Sequence, residues 1–541
     1  MMKKQLHYLK FIGRTGIIFL IILTVFALPA SADTGGLPPQ SNQPAVDPNP
    51  GEGVAAGENL QIMANTSWPQ VQGDAHRSGY VPQTVGPPFT ELWRIGKYAP
   101  NPTDSMFPVS SRVQPIIAQG LIFMPSNDGS LYALNAANGA VVWSYASQGP
   151  LVNSAGYENG RVFFGSTDGY IYALNAANGS LVWRYKTGST VKTAPLLAEG
   201  KVFMGGSDGY MVALNQTSGA LAWRTKIGAP IFDTAAYDNG KIFFGGMDSK
   251  GYALSAATGA IIWSKVMYGQ GFRDRWTVAG NGRVFFTPML AVNHHVPLRD
   301  GTRMFSSSAS PALYNQSWVT QRQKIVQHLT ANPYQRPLYV VDQNTGAEPF
   351  IPPVLFASGG SQSPHAQPVL LPNGNANVTY RRSFGEPAKY GQTTNDALYT
   401  GELSLVNGDI LPVDWCIKGS GGWEDCGPFK SPMVSDESTA LMRTGNIIYL
   451  DTARGTVGLD TASQTTIPLA VYNNSTGSVF ANSPVVFYPG KNEWIFIGEY
   501  TSVLSEVSSD GNDLKRPTPV VGDTFYIFHY NTLIAVKGVL K

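Results

Sequence analysis

Two cysteines are the residues of this sequence best suited to covalent or metal chemistry. Cys416 and Cys426 lie in the glycine-rich stretch DWCIKGSGGWEDCGPF, and the 541-residue chain contains 2 cysteines in all. In an exported protein such a pair predicts a disulfide that staples one loop. The alternative is a two-cysteine metal site, but this stretch contains no histidine that could join them as a ligand.

Two adjacent histidines are the next candidates. His294 and His295 lie in AVNHHVPLRDG. Neighbouring residues of a strand point to opposite faces, so the pair is poorly placed to hold one metal ion. Together with His365 they would offer three imidazoles, which is the alternative. We predict no metal site and expect loop residues that could contact a partner.

Two short stretches combine charges with aromatic rings. Arg273, Arg275 and Trp276 lie in RDRW, and Trp423 and Glu424 lie in GGWEDC. Arginine and tryptophan are enriched at the energetic centres of protein interfaces. We therefore predict a recognition surface at these loops, with ordinary solvated loop residues as the alternative.

One phrase recurs four times along the chain. Its copies are NDGSLYALNAANGAVVWSY, TDGYIYALNAANGSLVWRY, SDGYMVALNQTSGALAWRT and MDSKGYALSAATGAIIWSK. Their tryptophans Trp143, Trp183, Trp223 and Trp263 are spaced by 40 residues. A constant spacing of this length indicates a supersecondary unit copied in tandem, and it falls in the range of propeller blades.

The internal pattern of each copy is all β. A short aromatic and β-branched run such as GRVFFGS is followed by an Asp-Gly turn, the strand YIYAL, the turn NAANG and the strand SLVW. With a fourth strand before them, these form a four-stranded antiparallel meander, which must stack on its neighbours to bury both faces. We predict an all-β propeller in which each repeated tryptophan packs between adjacent blades; the alternative is a ligand-stacking ring on the channel wall.

The pattern DGxxYALNxxxGxxxW resembles the repeat of the pyrroloquinoline-quinone (PQQ) β-propellers, in the quinoprotein alcohol dehydrogenase-like superfamily. The opening WPQVQGDAHRSGYV (68–81) with ELWRI (91–95) is similar to the segment that introduces the first blade in that family. The resemblance is specific over residues 68–266 and weaker beyond. It implies a ring of eight blades.

The second half of the chain carries degraded copies. Units are recognised at 282–288 with 338–350, at 366–415, at 431–462 and at 483–500, and further strands follow at 517–537. A literal count gives nine units; we predict about eight four-stranded antiparallel blades, with seven to nine possible. ELWRI is expected to pair with the C-terminal strands and close the ring.

An insertion at about 288–336 interrupts the fifth unit. In YNQSWVTQRQKIVQHLTANP the apolar residues share one helical face and Pro333 ends the run; they are Trp318, Ile325, Val326 and Leu329. We predict a short amphipathic helix lying over the propeller. A helix that binds a partner is the alternative.

The N-terminus predicts export. A basic head precedes the apolar run GIIFLIILTVFAL (16–28), and ASA at 30–32 is a small-residue cleavage site, so residues 1–32 are expected to be a signal peptide. A retained anchor is the alternative, although a spanning helix needs about 20 apolar residues. Residues 33–66, rich in Pro and Gly, are expected to be a disordered linker, and 67–541 to be the propeller.

The charge composition of the chain limits the classes of partner that it could bind. The formal net charge is +2 and charged residues make up 14% of the chain, without a stripe of Lys and Arg, so nucleic acid is not an expected partner. We predict a monomer outside the cytoplasm, periplasmic, secreted or at the cell envelope, without a stable membrane span once the signal is removed.

The enzymatic members of the family resemble one another in a channel-mouth site. They hold Ca²⁺ through a Glu and an Asn, use an Asp base, and place a disulfide between adjacent cysteines over PQQ. This chain has no Cys-Cys pair and no Cys-x-x-Cys-His haem motif, and no ligand of that site can be carried onto its residues. We predict no cofactor, with PQQ and calcium, and a dehydrogenase of sugars or alcohols, as the alternative.

Non-enzymatic relatives are the better guide. The chain is similar in style to the propeller lipoprotein of the outer-membrane barrel-assembly machinery, although it lacks a lipid-anchor cysteine after the apolar run. The resemblance implies a rigid ring that presents loops to another macromolecule. We predict a non-catalytic binding or scaffold module for a protein or another extracytoplasmic ligand; a hydrolase or lyase over the channel is a further alternative.

Overall fold

The computed structural model describes part of the chain. The described residues are 66–95, 108–110, 112–269, 271–289, 318–354, 367–380, 399–411, 416–418, 424–426, 440–452, 455–463, 465–473, 478–480, 485–488, 493–496, 518–529 and 532–541. All of them belong to one compact unit, Gly53–Lys541. The predicted signal peptide and almost all of the predicted linker lie outside the described residues, as do His294, His295, His365 and Trp423.

Blades 1 to 4 are regular four-stranded antiparallel sheets whose strands follow chain order from the centre outward. Blade 1 contains Ile116–Ala118, Leu121–Pro125, Ser130–Asn135 and Val141–Ala146. Blade 2 contains Gly156–Glu158, Arg161–Gly165, Tyr170–Asn175 and Leu181–Lys186. Blade 3 contains Leu196–Ala198, Lys201–Gly205, Tyr210–Asn215 and Leu221–Lys226. Blade 4 contains Ala236–Asp238, Lys241–Gly245, Lys250–Ser255 and Ile261–Val266.

Blades 5 to 8 are less regular. Blade 5 contains Val278–Gly280, Arg283–Phe286 and Tyr339–Asp342. Blade 6 contains Val369–Leu370, Ala376–Tyr380, Tyr399–Leu403 and Ile410–Leu411. Blade 7 contains Ala440–Thr444, Ile447–Thr452, Gly455–Asp460 and Thr465–Asn473, with Ser478–Phe480 added outside and Tyr80–Val81 added in parallel at the inner strand. Blade 8 contains Val520–Val521, Thr524–His529, Thr532–Leu540 and Val85–Ile95.

The remaining elements lie between blades. Phe232–Thr234 pairs in parallel with Arg273–Trp276, and Cys416–Lys418 and Val485–Tyr488 form two-stranded hairpins with Glu424–Cys426 and Glu493–Phe496. In the described residues the helices are α1, Trp318–Ala331, and a 3-10 turn, Pro333–Gln335.

These sheets form an eight-bladed β-propeller, as the repeats predict. Closure combines both ends of the chain, because Val85–Ile95 pairs antiparallel with Thr532–Leu540, including the register Trp93–Ala535. The predicted unit at 483–500 appears in the described residues only as the hairpin of Val485–Tyr488 with Glu493–Phe496, so the literal count of nine was wrong there. Two neighbouring apolar stretches in the sequence predict two paired strands, and they do not show whether these form an isolated hairpin or part of a four-stranded blade.

Neighbouring blades bury the middle strands on both faces. Val162, Phe163 and Phe164 on the second strand of blade 2 are each 0% exposed. Strands that are covered on both faces carry apolar runs instead of alternating apolar and polar residues. That is why the sequence reads VFF, VFM and IFF at this position of blades 2, 3 and 4.

Helix α1 packs against the ring with the predicted face. Ile325 and Leu329 are buried, at 0% and 1% exposure. Arg322 forms an ion pair with Asp409 of blade 6. After the helix, Arg336 donates from Nε to the Leu329 carbonyl at 2.9 Å. The apolar face therefore serves packing within this chain, the interpretation that the sequence favoured.

Candidate functional site: the central channel and its mouth

Each regular blade contacts the next through a tryptophan of its outer strand. The indole Nε1–H donates to a carbonyl in the last turn of the following blade at 2.9–3.0 Å; the pairs are Trp93–Ala136, Trp143–Ala176, Trp183–Gln216, Trp223–Ala256 and Trp263–Gln343. The ring itself lies over a glycine of that turn. A Cβ at Gly219, for example, would lie 2.6 Å from the Trp183 ring. These tryptophans contact protein at the blade interfaces.

The centre of the ring is occupied by the N-terminal residues 68–81, here called the central segment. Its backbone and side chains hydrogen-bond to the inner strands of blades 1 to 7 in the order of the ring. The contacts are Trp68–Ile117, Pro69–Tyr157, Gln70–Leu197, Ala75–Tyr237, His76–Ala279, Ser78–Leu370 and Gly79–Arg443. Because the next strand, Val85–Ile95, is the outer strand of blade 8, residues 68–95 contact all eight blades.

Arg77 is the residue of the central segment whose side chain makes the contacts described next, and it is 0% exposed. Its guanidinium donates to the carbonyls of Ala235 at 3.0 Å and Pro195 at 2.9 Å. It also donates to the Val71 carbonyl at 3.2 Å and to Gln70 Oε1 at 3.3 Å. Complete burial lowers the pKa of Arg77 to about 9, so the group remains protonated at neutral pH. These bonds link the inner edges of blades 3 and 4 through one cation.

A polar collar surrounds the channel at the residues that precede the inner strands. Gln114 N–H donates to Ser154 Oγ at 2.8 Å, and Ala194 N–H donates to Thr234 Oγ1 at 3.0 Å. Asp233 is 3% exposed, and its Oδ2 accepts from Gly245 N–H at 2.9 Å and Thr277 Oγ1 at 2.7 Å. The collar joins neighbouring blades.

The predicted recognition residues of RDRW lie beside this collar. These residues form a strand and not the predicted rim loop; Arg275 is 3% exposed, with its guanidinium 6.0 Å from the Trp276 ring, and offers a partner little surface. Arg273 and Trp276 are half-buried, and Arg273 Nε contacts Met289 Sδ at 2.7 Å. The structure thus brings together Arg273, Arg275 and Trp276, and any contact with a partner falls to Arg273 and Trp276.

The cysteines face each other across a hairpin. The register pairs Cys416 with Cys426 and Lys418 with Glu424 in antiparallel strands. This backbone arrangement is compatible with the disulfide, which stays a prediction. Glu424 lies on the same hairpin, and nothing in the described residues joins it to the RDRW strand.

The prediction that this chain binds no PQQ or calcium stays a prediction. Within the part of the chain that the structure describes, no group of three or more His, Cys, Asp and Glu side chains could hold a metal ion. At the collar, the Asp233 carboxylate is engaged by a backbone N–H and a threonine hydroxyl. The central segment fills the ring where inner strands would otherwise line a cavity. We therefore assign no step to PQQ or calcium.

Sequence reasoning missed the central segment and Arg77. The stretch WPQVQGDAHRSGYV was noticed only as an introduction to the first blade. One signal was available. Arg77 lies before the first repeat, among Gly, Ser and His, and Asp74 is the one acidic residue of this stretch, which suggests that the arginine has partners elsewhere in the fold. Its carbonyl partners Ala235 and Pro195 are remote in sequence, so periodicity could not identify them.

The fold and the closed centre define the class of protein, an eight-bladed β-propeller built from PQQ-like repeats. Residues 89–230 and 127–348 match the family described as outer membrane protein assembly factor BamB. The matched part of the chain, residues 89–348, makes up less than half of it and is similar to the repeats of that family.

The chain is similar to several solved structures. Quinohemoprotein alcohol dehydrogenase from Comamonas testosteroni is 14% identical, with 74% of this chain and 72% of that chain covered and a TM-score of 0.47. BamB from Moraxella catarrhalis is 14% identical, with 70% and 92% covered and a TM-score of 0.41. The computationally designed Ika8 protein is 10% identical, with 83% and 99% covered and a TM-score of 0.42. At these values we draw no functional inference from the likenesses. No curated protein sequence matches this chain.

The described residues contain no helix with the length and apolar character needed to cross a membrane.

Proposed function

We propose that this protein is a non-catalytic propeller outside the cytoplasm that docks a protein of the cell envelope. The repeat family is described as an outer membrane protein assembly factor, and the signal-like N-terminus supports export. A docking module of this kind needs a rigid body and exposed loops or edges, and it does not need an internal cavity.

The observation that carries the proposal is the filled centre of the ring. Residues 68–79 hydrogen-bond to seven blades, and Arg77 at the axis is 0% exposed. Binding sites of propeller enzymes depend on space over the channel, which this segment reduces. The outer surfaces of the ring therefore offer the larger area for a partner.

The docking proposal is tested by crosslinking in the native cell at the native level of expression, followed by mass spectrometry. We expect the same one or few envelope proteins in every replicate. A matched sample carrying an Asp33→Lys change near the predicted cleavage site should recover the same partners if export proceeds. Recovery of cytoplasmic proteins alone would contradict the proposal.

The enzymatic alternative is tested with purified protein. PQQ and Ca²⁺ are titrated while absorbance is followed, and dye reduction is measured with a panel of sugars and alcohols. We expect no saturable spectral change and no dye reduction. Saturable binding with turnover would replace the docking function by a dehydrogenase.

A further inference from the structure

Exposed apolar side chains recur on the outer strands of five consecutive blades, just before each interface tryptophan. These residues, here called the apolar rim, are 42–50% exposed; they are Leu92, Val141, Val142, Leu181, Val182, Leu221, Ile261 and Ile262. They belong to blades 8, 1, 2, 3 and 4. Contiguous exposed apolar surface on a soluble protein marks an interaction site more often than chance.

The strands that carry the apolar rim have an open edge. Each is the last strand in its sheet, and within the described residues no strand pairs with its outer side. An open edge presents main-chain donors and acceptors that an added strand can satisfy. A β-bulge between Leu181 and Trp183 in blade 2 leaves both Leu181 and Val182 exposed. The rim is thus an apolar strip beside free backbone.

The apolar pair is replaced in blade 5, where the rim ends. Glu348 and Pro349 take the place of the apolar pair there. Glu348 forms ion pairs with Arg336 at 2.8 Å and with Lys265 at 3.2 Å. Through Glu348 these ion pairs join the segment that follows α1 to the outer position of blade 5 and to the outer strand of blade 4.

Blade 2 adds cations to the apolar pair. Arg184 and Lys186 are exposed on the same strand, and both lie over the Tyr170 ring, at 4.9 and 6.0 Å. Neither forms an ion pair within the described residues. They occupy alternate positions, opposite Tyr172 and Tyr170, so they share one face of the sheet. The outer strand of blade 2, Leu181–Lys186, contains no acidic residue.

The other blades offer internal contrasts. Blade 1 has Ser144 and Ala146 where blade 2 has the two cations. Blade 3 keeps Arg224 and Lys226, but Arg224 is paired with Asp208 at 2.9 Å. Blade 2 therefore combines the apolar pair with two cations that form no direct ion pair within the described residues; Arg184 contacts Tyr172, whose hydroxyl donates to Asp168 at 2.7 Å.

We propose that the outer edge of blade 2 binds an extended segment of a partner protein by strand addition. The segment carries acidic residues at alternate positions, which face Arg184 and Lys186, and apolar residues where it runs past Leu181 and Val182. Opposite charges on directly paired strands stabilise the pairing, and alternate side chains give specificity. This inference rests on the proposed docking function and names its surface and the chemistry of the partner.

A membrane surface fits these observations less well. The apolar rim follows five of the eight blades around a convex circumference, so a flat bilayer could contact only one or two blades at once. Bilayer contact would also leave the main-chain groups of the open edge in an apolar medium without partners. A polypeptide strand satisfies both the side chains and the backbone.

The binding test uses the full propeller and synthetic peptides with fluorescence anisotropy as the readout. The probe is a fluorescein-labelled peptide of about ten residues with alternating Glu and Val, and the controls are its Lys/Val counterpart and a version N-methylated at alternate residues. We expect the Glu/Val peptide to bind saturably and both controls to bind at least about tenfold more weakly, which corresponds to about 1.4 kcal/mol.

Two variants locate the site. Arg184→Ser with Lys186→Ala gives blade 2 the residues of blade 1, so folding is expected to be unaffected, and binding should weaken about tenfold. Arg224→Ser with Lys226→Ala in blade 3 should change binding by less than about threefold, because Arg224 is already paired. The reverse graft, Ser144→Arg with Ala146→Lys, should create a second site.

Several results would overturn the proposal. These are no binding of the Glu/Val peptide, equal binding of the N-methylated peptide, or stronger binding after removal of Arg184 and Lys186, which would mean that the cations protect the edge. Co-sedimentation with phosphatidylglycerol vesicles without peptide binding would assign the surface to membranes. If these tests fail while crosslinking still recovers an envelope protein, the docking function stands and only this site is withdrawn.

Discussion

The two halves of the ring are held together in different ways. Blades 1 to 4 repeat one local contact, a tryptophan ring over a glycine with the indole N–H on a backbone carbonyl. Blades 6 and 7 depend on long-range contacts with the N-terminus, such as Gln72 Nε2 with the Leu441 carbonyl at 3.1 Å and the Tyr449 hydroxyl with the Val85 carbonyl at 2.5 Å. The central segment contacts both halves, and blades 1 to 4 add to it a contact that repeats from blade to blade.

Blade 5 lies between the blades that repeat the tryptophan contact and those that do not. Its outer position has Phe350 where the regular blades have tryptophan, and a Cβ at Gly408 of blade 6 would lie 2.5 Å from the Phe350 ring. The flat ring over a glycine is kept, while the indole hydrogen bond is lost. The packing surface is therefore the part of the interface that this fold retains when the repeat degrades.

The largest expected effect is at the centre. Arg77→Met should lower the free energy of unfolding by about 4 kcal/mol, because it leaves the carbonyls of Ala235 and Pro195 buried without a donor. Guanidinium denaturation measures this. Arg224→Met, at a surface pair, is the matched control and should cost less than about 1 kcal/mol. Equal effects would mean that the central segment does not bind the halves together.

The glycine under the tryptophan gives the next largest effect. Gly219 has φ +71° and would place a Cβ 2.6 Å from the Trp183 ring, whereas Gly200 has φ +67° and open space. Gly219→Ala should destabilise by about 3 kcal/mol and Gly200→Ala by about 1 kcal/mol, since the second carries backbone strain alone. Thermal unfolding compares them. Identical losses of stability in the two variants would show that the Trp183 side chain moves aside without cost.

The indole hydrogen bond is worth less than the ring contact. Trp183→Phe should cost about 1.5 kcal/mol, because the Gln216 carbonyl loses its donor while most packing remains. The interface then resembles that of Phe350. Trp143→Phe, at a less buried ring, should cost less. Chemical denaturation checks both, and a loss above about 3 kcal/mol for either would mean that the bond dominates the interface.

Alkaline pH should weaken the second half through Tyr449. Burial raises the pKa of Tyr449 above its ordinary value of about 10. The native state therefore keeps the phenol neutral where the unfolded chain ionises, so its stabilising contribution is complete below pH 10 and is lost as pH rises beyond it. The slope of stability against pH above 10 should be about 1.4 kcal/mol per unit shallower in Tyr449→Phe. An unchanged slope would contradict the assignment.

Repetition explains how much the sequence could predict. The 40-residue spacing of Trp143, Trp183 and Trp223 required identical neighbours, so blades 1 to 4 and their strands followed from local pattern. The prediction that ELWRI closes the ring also held, because an edge strand without a partner must find one. The unit predicted at 483–500 was wrong, because the apolar residues at 485–496 form a two-stranded hairpin and resemble the first strands of a blade in sequence.

The recognition residues show the opposite case. RDRW drew attention by composition, but burial of Arg275 is a property of how its strand packs beside blade 4, which no local pattern records. The apolar rim was present in the four repeats as VVW, LVW, LAW and IIW, and was overlooked because apolar residues before a tryptophan suggest burial. These apolar residues are exposed because of the β-bulge and the unpaired outer edge of the strand, which only the structure shows.

The sequence by itself determined the blade, its period and its turns, because these depend on contacts between residues close in the chain or one period apart. The tertiary structure alone decided what fills the axis and which edges stay open. Arg77 meets carbonyls more than a hundred residues away, at Pro195 and Ala235. Such contacts exist only once the ring has closed, so their energies leave no periodic trace in the sequence.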